Sequence, residues 1–234
     1  MNHQRYYCTF LNLKDKPVAC LGDGPEIEQR KGSFLECGAI VDQLEAVDGR
    51  LIVTRLGVQP ADREESTLIP QNKNQWSTWI ATRCLIVVAP DIVPKLGLEL
   101  SELSQLCEEL KTLLCILDRP NYSNFISPAI AEKGPFQIAV SSSGISPSVS
   151  VYLRNRIENE LLSDELLALA EFFSRHRHIV SERLKDLKRR RAFYFELIES
   201  GFAARLDSEN ALQEFQSRLD EFCAARDSGM PDNS

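Results

Sequence analysis

The chain has 234 residues, 43% of them hydrophobic and 26% charged, with a formal net charge of −7. That is enough chain for one large domain or two small ones, with an ordinary globular composition. The acidic balance excludes general affinity for nucleic acid. No apolar run reaches the ~18 residues a membrane helix needs, and MNHQRYYCTF lacks the charged-then-apolar order of a leader. The expected setting is therefore the cytoplasm, with no membrane or nucleic-acid partner. Seven cysteines are scattered without a CxxC pair; they are expected to be reduced, mostly buried thiols, and no metal-ligand set is read from them.

In chain order, residues 6–14 are apolar enough for a short first strand or an ordered arm. Val18–Leu21 reads as a buried strand, and Gly22-Asp23-Gly24 follows at once. Glu26–Cys37 has helical character, with Ile27, Phe34 and Leu35 inward and Gly38 as its terminating glycine. Ile40–Leu44 and Leu51–Val53 give a second and a third strand. This is β-α-β punctuation, the start of a dinucleotide-binding unit. Gln59–Thr78 is polar, with Pro60 and Pro70, and predicts an irregular excursion with a short helix near Trp76–Thr82. Cys84–Ala89 is continuously apolar, as in a parallel strand covered on both faces. Leu100, Leu103, Leu106 and Leu110 recur at helical spacing within Leu98–Leu113.

A short apolar run, Leu114–Leu117, then ends at Asp118, and Arg119-Pro120 breaks the chain direction. Phe125–Ala131 and Phe136–Val140 are two apolar segments joined by the turn Glu132-Lys133-Gly134-Pro135. Beyond Pro147 the pattern is all helix. Ser146 and Pro147 open the first, with Leu153, Ile157 and Leu161 on one face. Ser163 caps a second, with Leu166, Leu167, Ala170 and Phe173 inside. A third runs near Val180–Ser200 and ends at Gly201. A fourth spans about Ser208–Ala225, and the polar tail is frayed. The fold class is α/β, followed by a helical region.

Four places could carry chemistry. A strand, then Gly22-Asp23-Gly24-Pro25-Glu26, then a helix can set a diphosphate against backbone N–H groups. A plain glycine turn is the competing reading, and Ile27 is larger than the small residue the full fingerprint wants. The acid that would accept ribose hydroxyls is Asp42 or Glu45, with Glu45 nearer the strand's end. Asp118 follows a buried strand and can project into a crevice, where a carboxylate can take a proton or orient a metal ion; a turn-capping aspartate is the alternative. Ser141-Ser142-Ser143-Gly144 could bind an anion ahead of a helix. His176 and His178 stand two apart on a helix, which is poor ligand spacing, and read as surface residues. The C-terminal half collects Arg154, Arg156, Arg175, Arg177, Lys185 and Lys188–Arg191. That cluster suits a polyanionic small molecule or a solvated face.

Taken together, YCTFLNLKDKPVACLGDG, RKGSFLECGA, CLIVVAPD, ILDRPNYSNFISPAIAEKGPFQIAVSSSGISP and RRRAFYFELIESG resemble the precorrin-2 dehydrogenase/sirohydrochlorin ferrochelatase family, the N-terminal module of siroheme synthase. The resemblance covers residues 6–202, and Asp118–Pro147 is its most specific part. It implies a homodimer with an N-terminal Rossmann-like parallel sheet (1–117), a strand-exchanging dimerisation hairpin and active-site loop (118–147), a helical domain (148–226) and a disordered tail (227–234). The implied activity is NAD-dependent oxidation of precorrin-2 to sirohydrochlorin, with ferrous iron a further substrate in members that go on to siroheme. Asp118 sits where the family has its essential aspartate. Ser142 matches the serine loop of the tetrapyrrole site. Pro25, Glu26, Ala46 and Val47 fall at the family's NAD-contacting positions, with Ala89 and Pro90 at the same site. Arg119, Arg154, Arg156 and Arg191 are candidates to meet the substrate's carboxylates. The chain departs from the family at Gly-Asp-Gly-Pro-Glu-Ile, where three glycines are usual, and at Pro90. A relative that binds tetrapyrrole without using NAD, or acts only as a chelatase, therefore stays open as the alternative.

Overall fold

The computed structural model describes residues 6–58, 65–66 and 69–225. It divides into two compact units, residues 1–128 with 141–146, and residues 129–140 with 147–234. The sequence reading cut the chain at 117 and 147. Residues 119–128 stay with the first unit because they are tied back to its last strand. Asn124 Oδ1 accepts Leu114 N–H at 2.7 Å, and Ser123 Oγ accepts Ile116 N–H at 2.9 Å.

The first unit is a six-stranded sheet in the order β4-β3-β2-β1-β5-β6. Its parallel strands are β1 (Pro17–Leu21), β2 (Ile40–Val47), β5 (Leu85–Val88) and β6 (Leu113–Ile116). Between them run α1 (Pro25–Glu36), α2 (Lys73–Ala81) and α3 (Leu100–Glu109). Residues 6–12 form no strand; Tyr7 and Phe10 are solvent-exposed, and the chain is tied down only from Leu13 onward. The third strand, β3 (Arg50–Leu56), is longer than read and runs antiparallel to β2. Asp48 and Gly49 turn the hairpin with φ of 49° and 75°, the left-handed pair that a two-residue hairpin requires. β4 (Glu65–Ser66) pairs with β3. Part of the excursion from Gln59 lies outside the described residues, as does the tail at 227–234.

Two apolar layers clamp the sheet. One gathers Leu44, Trp76, Ile80, Ile86, Val88, Val93, Leu103 and Leu114; the other gathers Val18, Cys20, Ile27, Phe34, Val41, Leu85 and Val87. β5 is buried on both faces, as its unbroken apolar run requires. Glu99 and Glu102 form a reciprocal capping box, so α3 starts at Leu100, two residues later than read. Cys20, Cys107 and Cys115 are buried, but Cys8, Cys37 and Cys84 are exposed, against the expectation of buried thiols. Burial pushes the Cys20 and Cys107 thiols up to about 12, which leaves them inert.

The second unit begins with the hairpin of β7 (Ala129–Lys133) and β8 (Phe136–Val140) and continues through α4 (Pro147–Arg156) and a π-helical turn at Ile157–Leu161. α5 (Asp164–Arg183), α6 (Leu187–Glu199) and α7 (Ala211–Ala224) follow. Ser163 Oγ accepts Leu166 N–H and caps α5 as expected. The helix runs on to Arg183, and the break falls at 184–186, where Asp186 caps α6. The inward residues of α5 are Leu169, Phe172 and Val180, one step round from the face read in the sequence. They pack with Phe193, Leu197, Phe202, Phe215 and Leu219. Leu153 and Leu161, expected inside, are exposed.

Candidate active site at the carboxyl edge of the sheet

The four parallel strands end on one edge, and the chain leaves β1 for β2 on one side and lies against β5 on the other. Ligands of open α/β sheets bind at such a reversal. Gly22 sits there. Its N–H donates to Leu44 O at 2.8 Å, its carbonyl accepts Gln43 Nε2 at 2.6 Å, and next to it Ala89 N–H donates to Leu21 O at 2.8 Å. With φ of 102°, Gly22 is in a conformation side chains rarely adopt, and a Cβ on it would lie 2.6 Å from Ala89 Cβ.

Gly24 has φ of 103°, but a Cβ there would meet nothing within 4 Å. It precedes α1 with no side-chain cap, and Pro25 starts the helix. The N–H groups of Glu26 and Ile27 therefore face outward without a capping side chain. Open space over a glycine and an uncapped helix start fit a diphosphate. Asp23 and Glu26 are exposed at the same turn. Ile27 is accommodated: it is fully buried in the layer beneath α1.

The register pairs Leu21 with Leu44, so Glu45 is the next residue beside Gly22. Leu44 and Ala46 belong to the α2/α3 layer, and strand alternation puts Glu45 on the α1 side. Asp42 is removed as a ribose acceptor. It is buried, salt-bridged to Arg83 and, at 2.8 Å, to Arg55. Ala46 lines a cavity of about 640 Å³ with Gly49, Arg50, Leu51, Ile69, Gln71 and Lys95. That is the size of a small-molecule pocket. Apart from Ala46 the sequence reading missed this set; the Asp48-Gly49 hairpin signal would have brought Arg50 to the strand's end. Val47 is exposed, and Ala89 and Pro90 follow β5 on the same edge.

Asp118 ends β6 there too. Leu117 N–H donates to Val88 O at 2.9 Å, fixing the strand's end, and Asp118 takes φ of 55°. An aspartate tolerates this left-handed conformation better than most residues. Its carboxylate is exposed and has no partner among the described residues. Arg119 folds back, donating to Asp118 O at 3.1 Å. Within the same unit, Ser141 Oγ accepts Ser143 N–H at 3.1 Å and Ser142 Oγ accepts Ser146 N–H at 3.0 Å. Ser143 and Gly144 have φ of 54° and 82°. The loop is thus shaped by its own hydroxyls, each of which keeps its proton to donate outward.

Arg154 and Arg156, in the second unit, pair along α4 and its extension with Glu158 at 3.3 Å and Glu160 at 2.8 Å. Arg191 stacks over Phe195 at 5.3 Å. Among the described residues no three His, Cys, Asp or Glu side chains gather as a metal site, and no helix is long and apolar enough to cross a membrane.

The fold and this edge define a dinucleotide-binding α/β unit joined to a helical unit. Three family models match in order: "Putative NAD(P)-binding" over residues 9–129, "Sirohaem biosynthesis protein central" over 133–160, and "Sirohaem synthase dimerisation region" over 165–221. The chain belongs to the precorrin-2 dehydrogenase/sirohydrochlorin ferrochelatase family that includes the N-terminal module of siroheme synthase. The siroheme synthase of Neisseria meningitidis serogroup C is 30% identical over 89% of this chain and 41% of its own length. That of Mannheimia succiniciproducens is 27% identical over 92% of this chain and 43% of its own length. The chain thus spans about two-fifths of the length of these relatives. The solved structure of SirC, a precorrin-2 dehydrogenase, matches 92% of this chain and 100% of its own, with a TM-score of 0.52 and 19% identity, a likeness of fold.

Proposed function

We propose that the chain oxidises precorrin-2 to sirohydrochlorin with NAD, as a cytoplasmic homodimer. The observation that carries this reading is the Asp118 carboxylate, unpartnered among the described residues, on the same sheet edge as the glycine turn, in a chain of this family. The amides of Glu26 and Ile27 would hold the diphosphate at the Gly22–Gly24 turn. Glu45 would accept ribose hydroxyls, with Ala46, Val47, Ala89 and Pro90 contributing to the same cofactor site. When bound there, NAD supplies the hydride acceptor. Asp118 takes the proton that the macrocycle must lose as the hydride leaves, and its exposure keeps it open to substrate. The Ser141–Gly144 loop and Arg119 meet carboxylates of the tetrapyrrole.

The homodimer is supported by the surface of the second unit. β7–β8 is a two-stranded ribbon, which is marginal alone. α4 buries only Ser150, while Val149, Val151, Tyr152 and Leu153 are exposed. Such a patch is short of a partner.

The alternative, a carrier or chelatase taking ferrous iron as substrate without NAD, is favoured by Asp23, Pro25 and Glu26 at the glycine turn. Two carboxylates and a missing amide weaken anion binding. The test follows conversion of precorrin-2 to sirohydrochlorin by absorbance, with NAD, in wild type and Asp118→Asn. No conversion by wild type rejects the dehydrogenase reading. Sirohydrochlorin binding without NAD binding selects the alternative.

A further inference from the structure

Gln43 is polar at a position whose burial suits an apolar side chain. It lies on β2, in register with Cys20 of β1, and is only 4% exposed. Strand alternation puts it on the face whose apolar layer holds Val41, Cys20 and Ile27. Its Nε2 donates to Gly22 O at 2.6 Å, while its Oε1 is buried and meets no donor among the described residues. Turning the amide over would only set Oε1 against another oxygen. A buried acceptor left unmet is costly, and a leucine or valine here would avoid that cost. What the glutamine provides instead is a hold on the Gly22 carbonyl.

That hold has a direction. The described peptides are all trans, and in a planar trans peptide the N–H points opposite to the C=O. With the Gly22 carbonyl drawn in to Gln43, the Asp23 N–H points away from the buried glutamine, at an exposed residue, and has no acceptor among the described residues. No second donor reaches Gly22 O among the described residues, and a glycine leaves its own peptide easy to rotate. The turn has use for this amide, because Pro25 offers none at the helix start. Resting on the dinucleotide reading above, we propose that Gln43 is a positioning residue for the cofactor. By holding the Gly22–Asp23 peptide it presents the Asp23 N–H to the diphosphate as a further donor beside Glu26 and Ile27.

The experiment titrates the full chain with NAD+ by calorimetry and with sirohydrochlorin by absorbance, for wild type and Gln43→Met, which keeps the length of the side chain without its donor. Gln43→Leu serves in its place if the methionine variant does not fold. The variant should bind NAD+ about tenfold or more weakly and bind sirohydrochlorin as wild type does. Isotope-labelled aspartate lets the Asp23 amide be followed by NMR. Its proton should move downfield when NAD+ is added to wild type, the mark of a hydrogen bond to phosphate, and should stay in place in the variant. A role in stability alone would lower the melting temperature without moving that resonance. Wild type that binds NAD+ with an unmoved Asp23 amide, a folded variant that binds NAD+ as tightly as wild type, or equal losses for both ligands overturns the proposal and leaves the dinucleotide reading standing. Wild type that binds no NAD+ removes both.

Discussion

Gly22 and Ala89 are so closely apposed, at the ends of adjacent parallel strands, that a Cβ on the glycine would lie 2.6 Å from the Ala89 Cβ. The contact is backbone-anchored on both sides, by Gly22 N–H to Leu44 O and Ala89 N–H to Leu21 O. Gly22→Ala therefore adds a clash to an unfavourable φ, and should destabilise the chain by about 2–4 kcal/mol. Gly24→Ala meets the same φ but open space, so it should cost only about 1–2 kcal/mol while weakening nucleotide binding. Chemical denaturation of both variants checks the contrast; equal losses would mean that the Gly22 contact relaxes freely.

Asp118→Asn should reduce the rate of precorrin-2 oxidation by about 100-fold or more, the scale of a lost general base. Its stability should stay within about 0.5 kcal/mol of wild type, because the side chain is exposed and bonded to nothing described. Nucleotide affinity should also be unchanged. A stable variant with full activity would take Asp118 out of the mechanism.

Asp42 makes the opposite prediction. It is buried between Arg83 and Arg55, and the Arg83 guanidinium lies 3.4 Å from the Trp79 ring centroid. Burial lowers the Arg83 pKa while Asp42 raises it. Asp42→Leu leaves a buried cation uncompensated and should cost about 3–5 kcal/mol. Adding Arg83→Leu should recover much of that loss, which a double-mutant cycle by urea unfolding measures.

The helical unit should lose stability in acid through His176. Burial, then the charges of Arg175 and His178, hold its pKa below the ordinary 6.5. Phe172 and Phe215 pack against the ring at centroid distances of 4.4 and 6.0 Å. The unfolded chain then binds the proton more readily than the folded one. This contribution is present above the ordinary value and is lost as pH falls through it. Melting curves between about pH 7.5 and 5.5 should drop less for His176→Gln than for wild type.

On α4, Val149→Glu with Tyr152→Glu should leave the protomer folded, since both residues are exposed within it. If this face is the dimer seam, the pair should weaken self-association by about 100-fold or more, read by sedimentation. An unchanged dimer would move the interface elsewhere.

Much of this molecule was legible from the order of its residues. The apolar run at Leu85–Val88 can be satisfied only by a strand covered on both faces. Glycines at 22 and 24 mark backbone that side chains would strain. Asp118 at the end of an apolar run before Arg-Pro marks a strand end facing solvent. These are local facts, set by sterics and hydrophobic period. The tertiary structure decided what local patterns leave free. Asp42 and Glu45 stand three apart in one strand, and only packing made the first a buried partner of Arg83 and left the second beside Gly22. Leu153 and Leu161 keep a helical period that is satisfied here by no core. Arg50 and Lys95 are separated by 45 positions of chain, and only the hairpin at Asp48-Gly49 and the turn after β5 bring them to one cavity. Period and turn chemistry act over a few residues, whereas the pairing of charges depends on which strands become neighbours.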